Sequence, residues 1–474
     1  MNTLRKTTDL AAATALVLLS GCELMHPTDP YAGMAKGSSP RISDRARPVK
    51  HLQSGGVLSI DQAIRVALAN NPELSAMQHD ADASEYQRKI AASQRWPSVH
   101  VASAYNRYLD RQRLIPPSAN FEPGVYNRDI VAGDLVLTMP LFTGGRITSE
   151  VKAAEFFREA AGHRLSRTRD ELVFNVYSTF YSILAQRRLI ESLDFSHKTL
   201  QEHLKRVKQF IEAQKAAKVD QLRTKVRLTD LEQRQVQERN ILEIQYRVLT
   251  NLLGLDQVEN PLDPRGELSA PVSEVPKKTK ALQEAFADRP DYLAARAGLE
   301  AQAQAVDIAR AAHWPTMSFE ASYGGRWAAG ATGLPPGIDR SGDLGQLGVV
   351  VDLPIFEGGR IDAQIAKERA RLHSAQERLR KLKLQVQLDV ETALLNIASA
   401  RQRVQATESA VAEAKESLRI EREKYETGKG AIVDVLDAQS ALLDSQTNFY
   451  RAQADYNVAL AQLNLATGAE PWRK

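Results

Sequence analysis

The chain has 474 residues, 62 of them Lys or Arg and 58 Asp or Glu, for a formal net charge of +4, and a single cysteine. Charge so close to balance gives no reason to expect a nucleic-acid partner. One cysteine leaves no intrachain disulfide and no cysteine-based metal site.

Residues 1–21 read as an export signal. Arg5 and Lys6 make a positive start, and the apolar run from Leu10 to Leu19 is too short to span a membrane. The run ends at Leu19-Ser20-Gly21-Cys22, which resembles the lipobox of bacterial lipoproteins, where the cysteine thiol takes a diacylglycerol and becomes the new N-terminus. The other reading is an ordinary signal peptide with an incidental cysteine. Glu23, not Asp, follows Cys22, so the lipobox resemblance implies anchorage in the outer rather than the inner membrane. Residues 22–56 are rich in Pro, Gly and Ser and have no periodicity, as expected of an extended tether.

Residues 57–256 and 281–468 follow one plan twice, with 257–280 as a linker and 469–474 as a tail. In the first copy a short helical pattern runs to Asn70-Asn71 and a longer one starts with Pro72; in the second the break falls at Asp288-Arg289-Pro290. Pro72 and Pro290 are 218 residues apart, and so are the Trp-Pro pairs Trp96-Pro97 and Trp314-Pro315. A shared offset between such rare pairs points to internal duplication.

After each Trp-Pro the period changes from helix to strand. Val99, Val101, Ser103 and Tyr105 alternate with His100, Ala102, Ala104 and Asn106; Met317, Phe319, Ala321 and Tyr323 alternate with Ser318, Glu320, Ser322 and Gly324. A polar insert follows each strand, Asp110 to Arg128 and Ala328 to Asp343. A second strand then returns, carrying Leu135, Leu137, Met139 and Leu141 in one copy and Leu347, Val349, Val351 and Leu353 in the other. Strands of about 9–11 residues suit a tilted crossing of a bilayer. A soluble β-subdomain is the alternative. A membrane barrel leaves no edge unpaired in lipid and needs roughly eight strands, so four strands in one chain ask for a homo-oligomer.

Both returning strands end in Gly-Gly-Arg, Gly144-Gly145-Arg146 and Gly358-Gly359-Arg360. They lack the spacing and the Lys-Ser/Thr of a phosphate loop and read as tight strand-to-helix joints. Each opens a very long helix, Ile147 to Glu212 and Ile361 to Glu426, whose leucines and valines keep coiled-coil spacing. The returning helices do the same, with Leu442, Phe449, Tyr456 and Leu463 at strict sevens. These stripes read as core. The turns between the long helices match: Lys215 and Lys429 are 214 apart, and so are Asp220 and Asp434.

Catalytic chemistry is missing. The nine histidines show no ligand spacing; His197 and His203, six apart, lie on different faces of a helix. No nucleophile elbow or nucleotide loop appears. The carboxylates are spread along helices beside Lys and Arg, as on solvated faces. The expectation is a non-enzyme without a cofactor.

The order short helix, Asn-Asn-Pro, helix, Trp-Pro, two strands, Gly-Gly-Arg and long hairpin, all repeated, resembles the TolC family of outer membrane efflux proteins. The most specific motif is Tyr425-Glu426-Thr427-Gly428 with Ile432-Val433-Asp434-Val435-Leu436-Asp437-Ala438. The resemblance implies a fold that is mainly α with a small β part: duplicated long helical hairpins forming a periplasmic tunnel, and four strands per chain in a shared trimeric transmembrane β-barrel. It implies a passive, gated conduit that docks onto a periplasmic adaptor protein and an inner-membrane efflux pump or ABC exporter. Asp434 and Asp437 match acidic rings at the periplasmic mouth, and Tyr425 matches a residue that holds that mouth shut. The family carries a basic residue two positions after the Gly of this turn. Here that position is Gly430, with Lys429 before it, so the chain departs from the family at its closing salt bridge. The tips that adaptor hairpins would meet are Lys215, Ala216, Ala217 and Lys218 in the first copy and Gly428 and Gly430 in the second. Asp434 has a second reading as a helix-start residue, and for Asp220 that reading is the preferred one. The reading from another class is a structural coiled-coil lipoprotein without a pore.

If Cys22 carries lipid, labelled palmitate incorporated by growing cells is found on the parent protein and is lost from Cys22→Ser. Label retained by that variant contradicts the anchor.

Overall fold

The computed structural model of the protein describes residues 57–117, 124–214, 216–255, 262–268, 275–330 and 339–469. The first half runs β1 (Val57–Leu58), α1 (Ile60–Asn70), α2 (Pro72–Ser93), β2 (Ser98–Arg113), β3 (Tyr126–Phe142), α3 (Arg146–Glu212) and α4 (Lys218–Leu252). After β4 (Asp263–Pro264) the order recurs as α5 (Lys278–Asp288), α6 (Pro290–Ala311), β5 (Thr316–Ala328), β6 (Ser341–Asp352), α7 (Arg360–Glu426) and α8 (Ile432–Thr467). The helices of the two halves match in length: 11, 22, 67 and 35 residues against 11, 22, 67 and 36. At 1.5 Å per residue, α3 and α7 each extend about 100 Å.

Local chemistry sets the element ends. Ser59 and Gln62 form a reciprocal capping box at the start of α1. Asn71 caps α2, its Oδ1 accepting from the Glu73 and Leu74 N–H groups, with Pro72 in the first turn. Its Nδ2 also donates to the Leu252 carbonyl at 3.0 Å, so one side chain starts α2 and terminates α4. At the equivalent joint of the second half stands Arg289. Its buried guanidinium pairs with Asp291 at 2.8 Å and Asp389 at 2.7 Å and donates to the Ala466 carbonyl near the end of α8.

Helices α2 and α6 stop two residues short of their Trp-Pro pairs. The intervening residues tighten into i→i−3 hydrogen bonds, Trp96 N–H to Ser93 and Trp314 N–H to Ala311 among them, because a residue before proline is disfavoured in the α conformation. At the Gly-Gly-Arg joints all four glycines take positive φ, 61° and 87° at Gly144 and Gly145, 59° and 78° at Gly358 and Gly359. That conformation carries little cost only without a Cβ.

The strands form one antiparallel sheet in the order β2-β3-β5-β6. They contain 16, 17, 13 and 12 residues, longer than expected. The extra length lies in the polar inserts: the β2–β3 ladder passes an irregularity between Arg107 and Gln112 and continues to Arg113 opposite Tyr126. Register sorts the faces. Val101, Leu135, Tyr323 and Gly345 lie in one row, Val99, Leu137, Ala321 and Leu347 in the next, and Met139, Phe319 and Val349 continue the same face. The opposite face carries His100, Asp134, Thr138, Glu320, Ser322, Arg326 and Gln346, with Arg326 paired to Asp134 at 2.6 Å. The apolar face is exposed at Val101, Leu135, Tyr323, Leu347 and Val349, as the opposite face is at His100, Glu320 and Gln346. A two-residue parallel pairing of β1 with β4, not anticipated in the sequence, ties the start of the body to the segment between its halves. Among the described residues no helix is long and apolar enough to cross a membrane.

The helical core is fullest where α5 lies on the hairpin of α7 and α8. Ala281 and Ala285 face Val386, Val390, Ala393 and Ile397 on α7 and Tyr456, Ala459 and Leu463 on α8. Replacing Asn71 by Ala removes a helix cap and a tertiary hydrogen bond at once. We expect a loss of about 1–2 kcal/mol, read as a lower melting midpoint by circular dichroism in detergent; an unchanged midpoint would show that the joint is held without Asn71.

Candidate functional site

The hairpin tips are built alike. Helix α7 ends at Glu426, and the Thr427 hydroxyl folds back on the Glu423 carbonyl at 3.0 Å. Gly428 turns the chain with φ of 75°, and the Lys429 N–H closes the turn on the Lys424 carbonyl at 2.8 Å. Ala431 is extended and α8 begins at Ile432, where the Asp434 carboxylate accepts the Ala431 N–H at 3.3 Å. In the first tip the Asp220 carboxylate accepts the Ala217 N–H at the same 3.3 Å. The left-handed position that Gly428 fills is taken there by Gln214, with φ of 54°, so the turn geometry is kept at the cost of strain a side chain normally avoids.

Of the expected site residues, Ala216, Ala217, Lys218, Gly428, Lys429 and Gly430 stand together at these turns. Cys22 and Lys215 lie outside the described residues. Asp434 is a helix-start residue within the chain, the reading the sequence also offered. Asp437, on the same face one turn on, is exposed and pairs with Arg227 of α4 at 3.3 Å. Lys429 is exposed, and no ion pair of it is found among the described residues. Gly430 is close-packed: a Cβ there would come within 3.0 Å of the Lys424 Cβ and 3.1 Å of the Tyr425 nitrogen.

Tyr425 sits differently. Its ring packs into an apolar seam of Leu200 and Val207 from α3 and Ile432 and Leu436 from α8. His203 and Phe210 of α3 lie beside it, ring centroids at 5.3 Å and 6.1 Å. Its hydroxyl is buried without a partner, and burial, with the nearby Asp220 charge, raises its pKa.

Three ion pairs that sequence reasoning missed join the two hairpins: Arg206 to Glu426, Arg227 to Asp437, and Arg234 to Asp444 at 3.1 Å. A signal for two of them was present. Arg227 and Arg234 are seven apart, as are Asp437 and Asp444, and a heptad step returns to the same helix face. Among the described residues no group of three or more His, Cys, Asp or Glu side chains is placed to hold a metal.

The geometry is that of long helical hairpins ending in paired, charged tips at one end and an apolar-faced sheet at the other. The family model described as "Outer membrane efflux protein" matches residues 63–255 and 281–469. The outer membrane protein OprJ of Pseudomonas aeruginosa is 27% identical, over 98% of this chain and 96% of its own length. The outer membrane protein TolC of Escherichia coli (strain K12) is 23% identical, over 85% of this chain and 80% of its own. The crystal structure of the outer membrane protein VceC from Vibrio cholerae superposes with a TM-score of 0.72 at 20% identity, covering 87% of this chain and 97% of that one.

The inter-hairpin pairs are exposed, so each should be worth under about 1 kcal/mol. In a double-mutant cycle with Arg227→Ala and Asp437→Ala, we expect a coupling energy of a few tenths of a kcal/mol in thermal unfolding, shrinking in high salt. A coupling several times larger would mean that the pair is desolvated in the assembled protein.

Proposed function

Because this chain belongs to the outer membrane efflux protein family, we propose that three copies of it close one shared twelve-stranded barrel and act as the outer membrane conduit of a tripartite efflux or secretion system. The observation that carries this is the sheet. Its outer face is apolar and exposed, and its edge strands β2 and β6 lack partners within the described residues. In hydrocarbon each unpaired backbone group costs several kcal/mol, and three four-stranded sheets are enough to close a barrel. The face carrying Asp134, Arg326 and Glu320 then lines the lumen. The helices continue the conduit into the periplasm, and Cys22 anchors each chain by lipid.

The hairpin tips, at the end remote from the sheet, are the docking surface for a periplasmic adaptor protein, which couples the conduit to an inner-membrane pump. Threefold symmetry brings Asp434 and Asp437 into rings at the mouth, with Tyr425 holding the seam between hairpins and Lys429 exposed on the turn. Arg227 partly balances Asp437, so Asp434 is the stronger contributor to the field. Acidic rings favour cations and attract multivalent ones. The protein is passive, and the energy for export comes from the pump.

In detergent, light scattering should give three chains per particle, and planar bilayers should show discrete conductance with cation preference. A monomer, or a trimer that never conducts, would favour the coiled-coil spacer instead. The double variant Asp434→Ala with Asp437→Ala should lower cation preference and relieve block by di- or trivalent metal ions added from the periplasmic side. Selectivity and block equal to the parent's would place the gate elsewhere.

A further inference from the structure

His203 lies on α3 nine residues before its end at Glu212, about 14 Å from the tip. It is only 7% exposed and its Nε2 has no hydrogen-bond partner. An unpaired buried imidazole nitrogen is unusual, because buried polar groups are nearly always satisfied. The ring faces Tyr425 of α7, centroids 5.3 Å apart, and the Tyr425 hydroxyl is equally unsatisfied. Two orphaned polar groups therefore stand together where the first hairpin meets the second.

The surroundings oppose a charge on this ring. Arg206 acts on it from its own helix, and Arg422 and Glu426 act from α7. Glu426, the acid of this set, is already paired with Arg206. From α8 the seam receives Ile432, Val433 and Leu436, and from α4 it receives Leu228; the charge reaching Tyr425 from α4 is Asp220. A proton on His203 would thus place a third cation beside two arginines, in an apolar seam, where the carboxylate that acts on the ring, Glu426, is already held by Arg206.

We propose that His203 is an acid sensor in the α3–α7 seam: neutral, it lets the two hairpins pack around Tyr425, and protonated, it drives them apart beside the tips. Burial first, then Arg422 and Arg206, push its pKa down to about 4 from the ordinary 6.5. A depressed value means that the packed form is fully favoured above pH 6.5 and loses ground as pH falls from there toward 4. Below pH 4 the loss is complete. If the parted form exposes the ring, the balance shifts toward it by about tenfold at pH 5.5 and about 300-fold at full protonation. An outer membrane conduit with this device would loosen its inner end when the periplasm acidifies. That consequence rests on reading the tips as the mouth; the seam itself does not.

The test separates the two. Hydrogen exchange of the full-length detergent-solubilised protein, with labelling times scaled for the intrinsic pH effect, reports on peptides covering residues 200–212 and 419–427. In the parent their protection should fall about tenfold between pH 7.5 and 5.5. In His203→Gln, whose amide stays neutral at both pH values, it should not fall. In Arg422→Glu, where a carboxylate can receive the proton, acid loosening should shrink or reverse. This second variant keeps the test decisive if His203→Gln fails to assemble. Equal loosening in parent and variants, or none in the parent, overturns the proposal. Conductance in planar bilayers at the same two pH values reads the consequence: a rise in open probability in the parent but not in His203→Gln supports an acid-sensitive mouth. Seam loosening without a conductance change upholds the sensor and overturns the placing of the mouth at these tips.

Discussion

Backbone hydrogen bonding is the constraint on which this molecule depends. Strands β2 and β6 each offer a row of N–H and C=O groups that the four-stranded sheet does not use. The same sheet presents valine, leucine, tyrosine and phenylalanine outward. A sheet that turns an apolar face to its surroundings and leaves both edges open is incomplete in lipid, where water cannot satisfy the edge groups. Side-chain chemistry on one face and backbone chemistry at the edges ask for the same thing, further strands from further chains. The faces are sorted because the register is fixed: a slip of one residue between β3 and β5 would put Arg326 and Asp134 on opposite faces and turn one of the two toward the apolar side.

The helical part meets a different difficulty. Helices of 67 residues cannot bury one continuous face in a small domain. They are covered in sections: α3 by α1, α2, α4, α6 and α8, and α7 by α5, α6 and α8. Where the covering changes, polar side chains fix the junctions. Asn71 and Arg289 occupy equivalent joints and use unlike chemistry to do the same work, each tying the start of a helix to the last carbonyls of another. Arg289 is nearly fully buried, and its two aspartates offset the desolvation of its charge. Toward the tips the covering thins to two hairpins. There the contact between them narrows to an apolar seam, ion pairs and a histidine whose Nε2 is unpartnered.

The sequence carried most of the fold. Two Trp-Pro pairs and two Gly-Gly-Arg joints at near-constant offset, with a change of period between them, marked the helices to within a residue or a few, because proline, glycine and alternation act locally on the backbone. The tip aspartates were legible as well, and so was the helix-start reading of Asp434, since a carboxylate three residues into a helix can reach back to the capping N–H. What stayed hidden depends on which helices meet. Nothing local to Arg227 says that Asp437 faces it 210 residues later, nothing in Val57-Leu58 announces a pairing with Asp263-Pro264, and the strands ran longer because an irregular ladder outlasts strict alternation. His203 shows this most plainly. Spacing alone made it one more helical histidine; only the approach of the end of α7 to α3, which seats Tyr425 against it and brings Arg422 near, decided that the ring is buried and its pKa lowered, because desolvation and the sign of neighbouring charges are set largely by what packs in space.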